Sequence, residues 1–194
     1  MNLKYLSLLV VAACASTPKA VRLSTDSPVL TLVWVGRGEA ERLDATGWQR
    51  VPAFDYEFSV EQRRFADHWE SVKHLTRSHP DYDGSAGPRE QTMYFQLDYQ
   101  RDGDGVRSSI RSTLGDGAGT SDSEFRHAHL KMRADVSSMA PFDTYQIEQT
   151  YSYEKGELRE DVTLLKGEAP WVRNHEVATL FAPKRFDAPP TTLK

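Results

Sequence analysis

A helix-like spacing of hydrophobic residues marks the chain between Ser59 and Pro80. Apolar side chains recur there every three or four residues, which is typical of an amphipathic helix with one buried face. Ser59 and Gln62 fit a capping pair at the start of this helix, and Pro80 would end it. The predicted buried face consists of Phe65, His68, Trp69, Val72, Leu75 and Thr76. The pattern therefore predicts one long helix packed on an apolar surface.

A different repeat follows, in which apolar and polar residues alternate one by one. Two such runs, residues 93–99 and 106–114, flank Gly103-Asp104, a pair typical of a tight hairpin turn. Because matching the apolar faces of two strands fixes their register, we expect Leu97 to lie opposite Ile110. This part of the chain is therefore predicted to be a β-hairpin with one buried face.

Other parts of the chain add strands to this sheet. Two alternating runs flank Lys155-Gly156, so that Tyr153 would lie opposite Leu158. The glycines of residues 115–119 favour a flexible connection. Further strands are predicted at residues 29–35, 123–136 and 175–181. Because short connections join antiparallel neighbours, the sequence predicts an α+β fold, an antiparallel β-sheet of about six or seven strands with one long amphipathic helix packed on it.

The first residues of the chain have the pattern of an export signal. Lys4 provides a positive start, and the apolar run 6–13 is too short to span a bilayer as a helix. The run ends in Val11-Ala12-Ala13-Cys14, which resembles the lipobox of bacterial lipoproteins. The resemblance implies cleavage before Cys14, acylation of that residue, and a lipid anchor in a membrane. Because Ala15 rather than an aspartate follows, it also implies the outer membrane, with the domain facing the periplasm.

These patterns divide the chain into four segments. Residues 1–13 are expected to be a signal peptide, and residues 14–27 a lipidated cysteine with a flexible tether. Residues 28–182 are expected to form a single globular α+β domain, and residues 183–194 a frayed C-terminal tail. An ordinary secretory signal is the alternative, and it would leave Cys14 as a free thiol.

Composition and charge exclude several functional classes. The 194 residues include 24 Lys and Arg against 28 Asp and Glu, so the chain lacks the basic excess of a nucleic-acid-binding surface. Its single cysteine excludes an internal disulfide and a zinc-finger type of site. The glycines do not have the spacing of a dinucleotide-binding or phosphate loop. We therefore expect no nucleic-acid partner and no cofactor, and we favour a non-enzymatic role.

His127-Ala128-His129 is the candidate metal-binding pattern of the sequence. On a strand these two histidine side chains share one face and, with His175 as a third ligand, they could hold a metal ion. The same face continues with Lys131 and Arg133, whose charges would repel a cation. A solvated strand face is therefore the alternative interpretation.

Three functional hypotheses result. The first is a non-enzymatic scaffold or interaction module in the cell envelope, anchored through Cys14 and binding an envelope protein. The second is a carrier of a small apolar ligand in a cavity between the helix and the sheet. Tyrosines with polar tips would line such a cavity, and the candidates are Tyr94, Tyr99, Tyr145, Tyr151 and Tyr153. The third is a metal-dependent hydrolase built on His127, His129 and His175.

Overall fold

The computed structural model describes residues 21, 23–138 and 140–181, in which one antiparallel sheet contains all the strands. In chain order these are β1 (Leu30–Asp44), β2 (Gly47–Arg50), β3 (Tyr56–Arg64), β4 (His68–Thr76), β5 (Glu90–Asp102), β6 (Gly105–Ser112), β7 (Gly115–Asp122), β8 (His127–Ala134), β9 (Thr144–Ser152), β10 (Glu157–Lys166) and β11 (Ala169–Leu180). Each strand from β3 to β11 pairs with the next, β3 pairs with β1, and β11 also pairs with β1. The sheet therefore closes into a ten-stranded barrel, with β2 attached to the edge of β1.

The predicted α+β fold with a long helix is wrong, because the segment assigned to the helix forms β3 and β4. These strands pair antiparallel, with Phe58 opposite Leu75. Two short 3₁₀ turns, Pro52–Phe54 and Val136–Ser138, are the helical segments of the described residues. No helix in this part of the chain is long and apolar enough to cross a membrane.

The alternation of β4 is hidden in the sequence because polar side chains take inward positions. Ser71 and Lys73 line the barrel interior together with Trp69, although neither is apolar. Val72 occupies the opposite face, as strand geometry requires of the residue between them. Apolar residues therefore stand at positions 69, 72 and 75, a spacing of three that imitates one face of a helix.

Two glycine-containing segments form longer or additional strands. The strand expected to end at Val35 continues through Gly38 to Asp44 as β1, and the stretch expected to be flexible forms β7. A Cβ atom at Gly38 would lie 2.4 Å from Cζ of Tyr56, and one at Gly119 would lie 2.4 Å from Cδ2 of Leu130. Glycine is therefore needed at these inward positions because large side chains of neighbouring strands occupy the space.

The predicted register is correct for one hairpin and wrong for the other. The register of the β5–β6 hairpin is confirmed, because Leu97 pairs with Ile110 and Gly103 takes a positive φ of 59° in the turn. In the β9–β10 hairpin the prediction is wrong by two residues, since Leu158 pairs with Tyr151. The turn there spans residues 153–156 rather than two residues, which shifts the register but keeps each side chain on its predicted face.

The segment before β1 lies against the outside of the barrel. Ser24 donates its backbone N–H to Glu70 at 2.5 Å, and the Arg63 side chain donates to the carbonyl groups of Ser24 and Asp26 at 3.2 and 3.1 Å. These residues belong to the predicted tether, and the contacts place its last part on β3 and β4. The predicted signal peptide, Cys14 and residues 183–194 lie outside the described residues.

Candidate functional site

An internal cavity of about 90 Å³ extends from the middle of the barrel to the end where β4 begins. Its wall is mainly apolar and includes Phe95, Leu97, Ile110, Leu130, Met132 and Ile147. Engineered protein cavities of roughly 150 Å³ hold benzene, so this smaller space limits the size of any ligand that it can enclose. The barrel interior is therefore not packed solid.

Three buried charged side chains meet at the inner end of this cavity. Lys73 of β4 lies with Nζ at 2.6 and 2.5 Å from the two carboxyl oxygens of Glu176, and at 3.3 Å from Oε2 of Glu160. Glu160 and Glu176 are cross-strand neighbours on β10 and β11. Each of these three residues is at most 6% exposed. We call them the charge cluster. Closure of the barrel brings them together, because residue 73 is far from residues 160 and 176 in the chain.

Hydrogen bonds from neutral side chains complete the charge cluster. The hydroxyl of Tyr56 donates to Oε1 of Glu176 at 2.5 Å, and the amide of Gln149 donates to Oε1 of Glu160. Buried ionised groups are stable only when they are paired and hydrogen bonded in this way. The cluster still contains two carboxyl groups and one ammonium group, so pairing alone does not balance its charge.

The pKa values of the two carboxyl groups are shifted in opposite directions, which reduces this charge imbalance. Burial, with the neighbouring Glu160 carboxylate adding to it and Lys73 opposing it, raises the pKa of Glu176 to about 8. Burial also opposes the charge on Glu160, but Lys73 and the hydrogen bonds from its neighbours hold the pKa of that carboxyl below its ordinary value. Because the two carboxyl groups interact, they titrate as a pair, and near pH 7 the pair retains one proton.

A row of buried polar side chains lies beside the charge cluster, and its members hydrogen bond to one another. The indole N–H of Trp34 donates to Gln62 at 2.9 Å, and the Gln62 amide donates to the hydroxyl of Tyr151 at 2.7 Å. Burial raises the pKa of Tyr151 well above its ordinary value, so its hydroxyl stays neutral. Gln62 and Tyr151 also line the cavity, which gives the wall two fixed polar positions away from the charges.

Aromatic rings surround the outer end of the cavity. Phe125 of the β7–β8 turn packs against Trp69 and Tyr99, with ring centroids 5.6 and 5.1 Å apart, and the guanidinium of Arg64 lies 4.9 Å from the Phe125 ring. Phe125 has a positive φ of 57°, which is a strained conformation for a bulky residue. We call Trp69, Tyr99 and Phe125 the aromatic mouth.

The indole N–H of Trp69 has no hydrogen-bond partner among the described residues, although the side chain is only 8% exposed. Trp69 lines the cavity. Buried indole N–H groups normally donate a hydrogen bond, because an unpaired buried donor costs about 1–3 kcal/mol. The Trp69 indole N–H is therefore a buried, unsatisfied donor in a residue of the cavity wall.

The tyrosines predicted to line a cavity are mostly placed there. Tyr99, Tyr145 and Tyr151 line it, and Tyr153 stacks on Tyr151 with ring centroids 5.5 Å apart. Tyr94 alternates with inward-facing residues of β5 and so belongs to the outer face. The cavity itself lies inside the barrel and not between a helix and a sheet, because the helix does not exist.

The three candidate metal ligands are not brought together. His127 and His129 lie exposed on the outer face of β8, where they approach Thr150 at 3.3 Å and Glu148 at 3.9 Å. His175 belongs to β11, three strands or roughly 14 Å away, and contacts Asp161 and Glu41. Within the described residues no group of three His, Cys, Asp or Glu side chains is placed to hold a metal ion.

The sequence patterns did not predict the charge cluster, although the position of one of its residues could have indicated it. Glu160 stands in the same alternating row as Leu158 and Val162, which are the predicted buried residues of that strand. A charged residue inside a buried row is uncommon unless it is paired. Neither Lys73 nor Glu176 could be identified as its partner, because the pairing depends on closure of the barrel.

The combination of an apolar wall and a charged inner end suits reversible binding of a small molecule. Comparison of the chain with protein-family models, curated proteins and solved structures found no match.

Proposed function

We propose that this protein binds a small and predominantly apolar ligand inside its barrel, and that it acts as a carrier. The observation that supports this is the cavity, whose apolar wall ends in polar groups. Apolar surface removed from water contributes about 25 cal/mol per Å², so a chain filling this space would gain affinity without any further contact.

The cavity favours the carrier hypothesis over the scaffold hypothesis. A scaffold gains nothing from empty space in its core, because missing packing contacts lower the free energy of unfolding. A carrier needs that space, and the loss of packing is compensated when the ligand binds. The ligand-free barrel is accordingly expected to be less stable than the ligand-bound barrel.

We also propose that the carrier is held at the cell envelope through Cys14, on the basis of the lipobox resemblance. Two or more acyl chains on this residue would make the anchor stable, and the barrel would then face the periplasm from the outer membrane. Mass spectrometry of the mature wild-type protein is expected to show acyl groups on Cys14, and a Cys14→Ser variant should lack them. An unmodified Cys14 thiol in the wild-type protein would contradict the anchor and leave the carrier proposal intact.

The binding proposal is tested by filling the cavity from one strand. Ser108 of β6 lines the cavity, whereas the adjacent Ser109 is exposed on the outer face. We expect 1-hexanol, titrated by calorimetry, to bind the wild-type protein and the Ser109→Leu control equally. The Ser108→Leu variant should bind it at least about tenfold more weakly, because the leucine occupies the space of several ligand carbons. Absence of binding to the wild-type protein, or equal binding by both variants, would contradict the proposal.

A further inference from the structure

We propose that the ligand of the cavity carries a positively charged tip, a primary ammonium group on a short apolar chain, and that Glu160 binds this tip. The inference depends on the proposed function and names the chemical class of its ligand. It follows from the way in which the three members of the charge cluster share their contacts.

Glu160 is the carboxylate of the cluster that lines the cavity and lies farther from Lys73. Lys73 lies at 2.5 and 2.6 Å from the oxygens of Glu176, but at 3.3 Å from Glu160. Tyr56 donates a further hydrogen bond to Glu176, which does not line the cavity, and Gln149 donates one to Glu160. The carboxylate presented to a ligand is therefore the one that lies farther from Lys73.

The groups facing the carboxyl pair leave room for one more positive charge. The titratable side chains that face Glu160 and Glu176 are Tyr56 of β3, Lys73 of β4, and Tyr145 and Tyr151 of β9. The next cation, Arg77, lies 5.5 Å from the Tyr56 ring and donates to the carbonyl groups of Pro88 and Ala86. The tyrosines are neutral, so one ammonium faces two carboxyl groups. A ligand ammonium would make two cations for two carboxylates.

The balance of charge also predicts the movement of a proton. Without ligand the carboxyl pair retains one proton near pH 7, because burial raises the pKa of Glu176. When the ligand ammonium enters, both carboxyl groups can ionise, and the shared proton leaves to solvent. A carboxylate ligand would instead add a third acidic group, and an alcohol would leave the proton in place.

The order of affinities among three ligands of equal chain length tests this inference. Hexylamine, 1-hexanol and hexanoate are titrated calorimetrically into the full-length protein at pH 7, in phosphate and in Tris buffer. Hexylamine should bind about tenfold or more tightly than 1-hexanol, since charge-assisted hydrogen bonds are the stronger kind, and hexanoate should bind least. The heat of hexylamine binding should differ between the buffers by about the ionisation heat of one proton, whereas that of 1-hexanol should not differ.

Two variants locate the effect, and an exposed glutamate provides the control. Glu160→Gln should remove the preference for hexylamine and keep the affinity for 1-hexanol. Glu176→Gln should remove both the preference and the proton release, because the remaining Glu160 is then neutralised by Lys73. Glu148→Gln on the outer face should behave as the wild-type protein. Binding of 1-hexanol without a preference for hexylamine overturns the inference and leaves the carrier proposal standing, whereas binding of none of the three ligands overturns both.

Discussion

The two ends of the barrel are closed in different ways. At the end where β4 finishes, Tyr82 packs edge to face against Phe54, its hydroxyl donates to a backbone carbonyl at 2.6 Å, and Arg77 donates to two more. At the other end the rings of the aromatic mouth lie over the cavity of about 90 Å³, whereas a cavity of about 60 Å³ lies beside Arg77 at the first end. Each end has a buried nitrogen without a hydrogen-bond partner among the described residues, Nε of Arg77 and Nε1 of Trp69. The two ends therefore differ in the side chains that close them and in the size of the space that they enclose.

The charge cluster lies between these two ends of the barrel. Lys73 and Glu160 line the cavity, whereas Glu176 and its hydrogen-bond partner Tyr56 are buried behind them. Buried ion pairs of this kind seldom stabilise a protein more than apolar residues of the same volume would. Their presence at the inner end of a cavity is better explained by binding than by stability.

The largest expected loss of stability comes from replacing Lys73, the buried cation between the two ends of the barrel. Lys73→Met would leave two buried carboxyl groups without a counter-charge and should lower the free energy of unfolding by about 3–5 kcal/mol. Urea denaturation at pH 7 measures this change. The exposed Lys131→Met on β8 is the matched control and should change it by less than about 0.5 kcal/mol. Equal stabilities of the two variants would show that the cluster is not structurally important.

A second prediction concerns the sealed end. Tyr82→Ala removes a buried ring together with its hydrogen bond, and should lower the free energy of unfolding by about 3 kcal/mol. The affinity for 1-hexanol should change less than about threefold, since Tyr82 does not line the cavity and distant sites act independently. Denaturation and calorimetry on the same variant measure the two quantities. A large loss of affinity would mean that the two ends are not separate.

The third prediction is a dependence of stability on pH. Because burial and Glu160 raise the pKa of Glu176 from 4.5 to about 8, the folded state holds a proton that the unfolded state has lost across this window. The free energy of unfolding should therefore fall as the pH rises from about 4.5 to about 8. Glu176→Gln should flatten this slope in urea denaturation between pH 5 and 9. The same slope in both proteins would place the retained proton elsewhere.

The smallest effect on stability is expected at the mouth. Phe125→Gly relieves a positive φ but loses ring contacts, so the free energy of unfolding should change by less than about 1 kcal/mol. The exchange of 1-hexanol should become several-fold faster, as measured by stopped-flow tryptophan fluorescence. Glu168→Gly relieves a similar positive φ of 68° in the turn before β11 and should leave the exchange rate unchanged. Faster exchange in both variants would mean that strain, rather than the ring, controls entry.

The sequence predicted local features of the fold well where the alternation was regular. The β5–β6 register followed from Gly103 and two uninterrupted apolar rows. The helix was predicted wrongly because Lys73 and Ser71 occupy inward positions of β4, so the residues that form the site are the ones that disturb the pattern. Functional residues often violate local rules in this way.

The closed barrel and its charge cluster were beyond local patterns. Pairing of β1 with β11 joins Gly38 to Glu176, two residues far apart in the chain, and no spacing in the sequence encodes it. Glu160 could be suspected because it interrupts a buried row, but its partner could not be named. The single polar residue in an apolar alternation was therefore the available signal.

Methyl NMR spectroscopy of the full-length protein during titration with 1-hexanol would locate the ligand directly. We expect saturable shifts, and nuclear Overhauser contacts to the ligand chain, at Ile110, Leu130 and Met132 of the cavity wall. The exposed Val35 and Val177 on the outer face should not respond. Shifts confined to those outer methyl groups, or none at all, would contradict a ligand site inside the barrel.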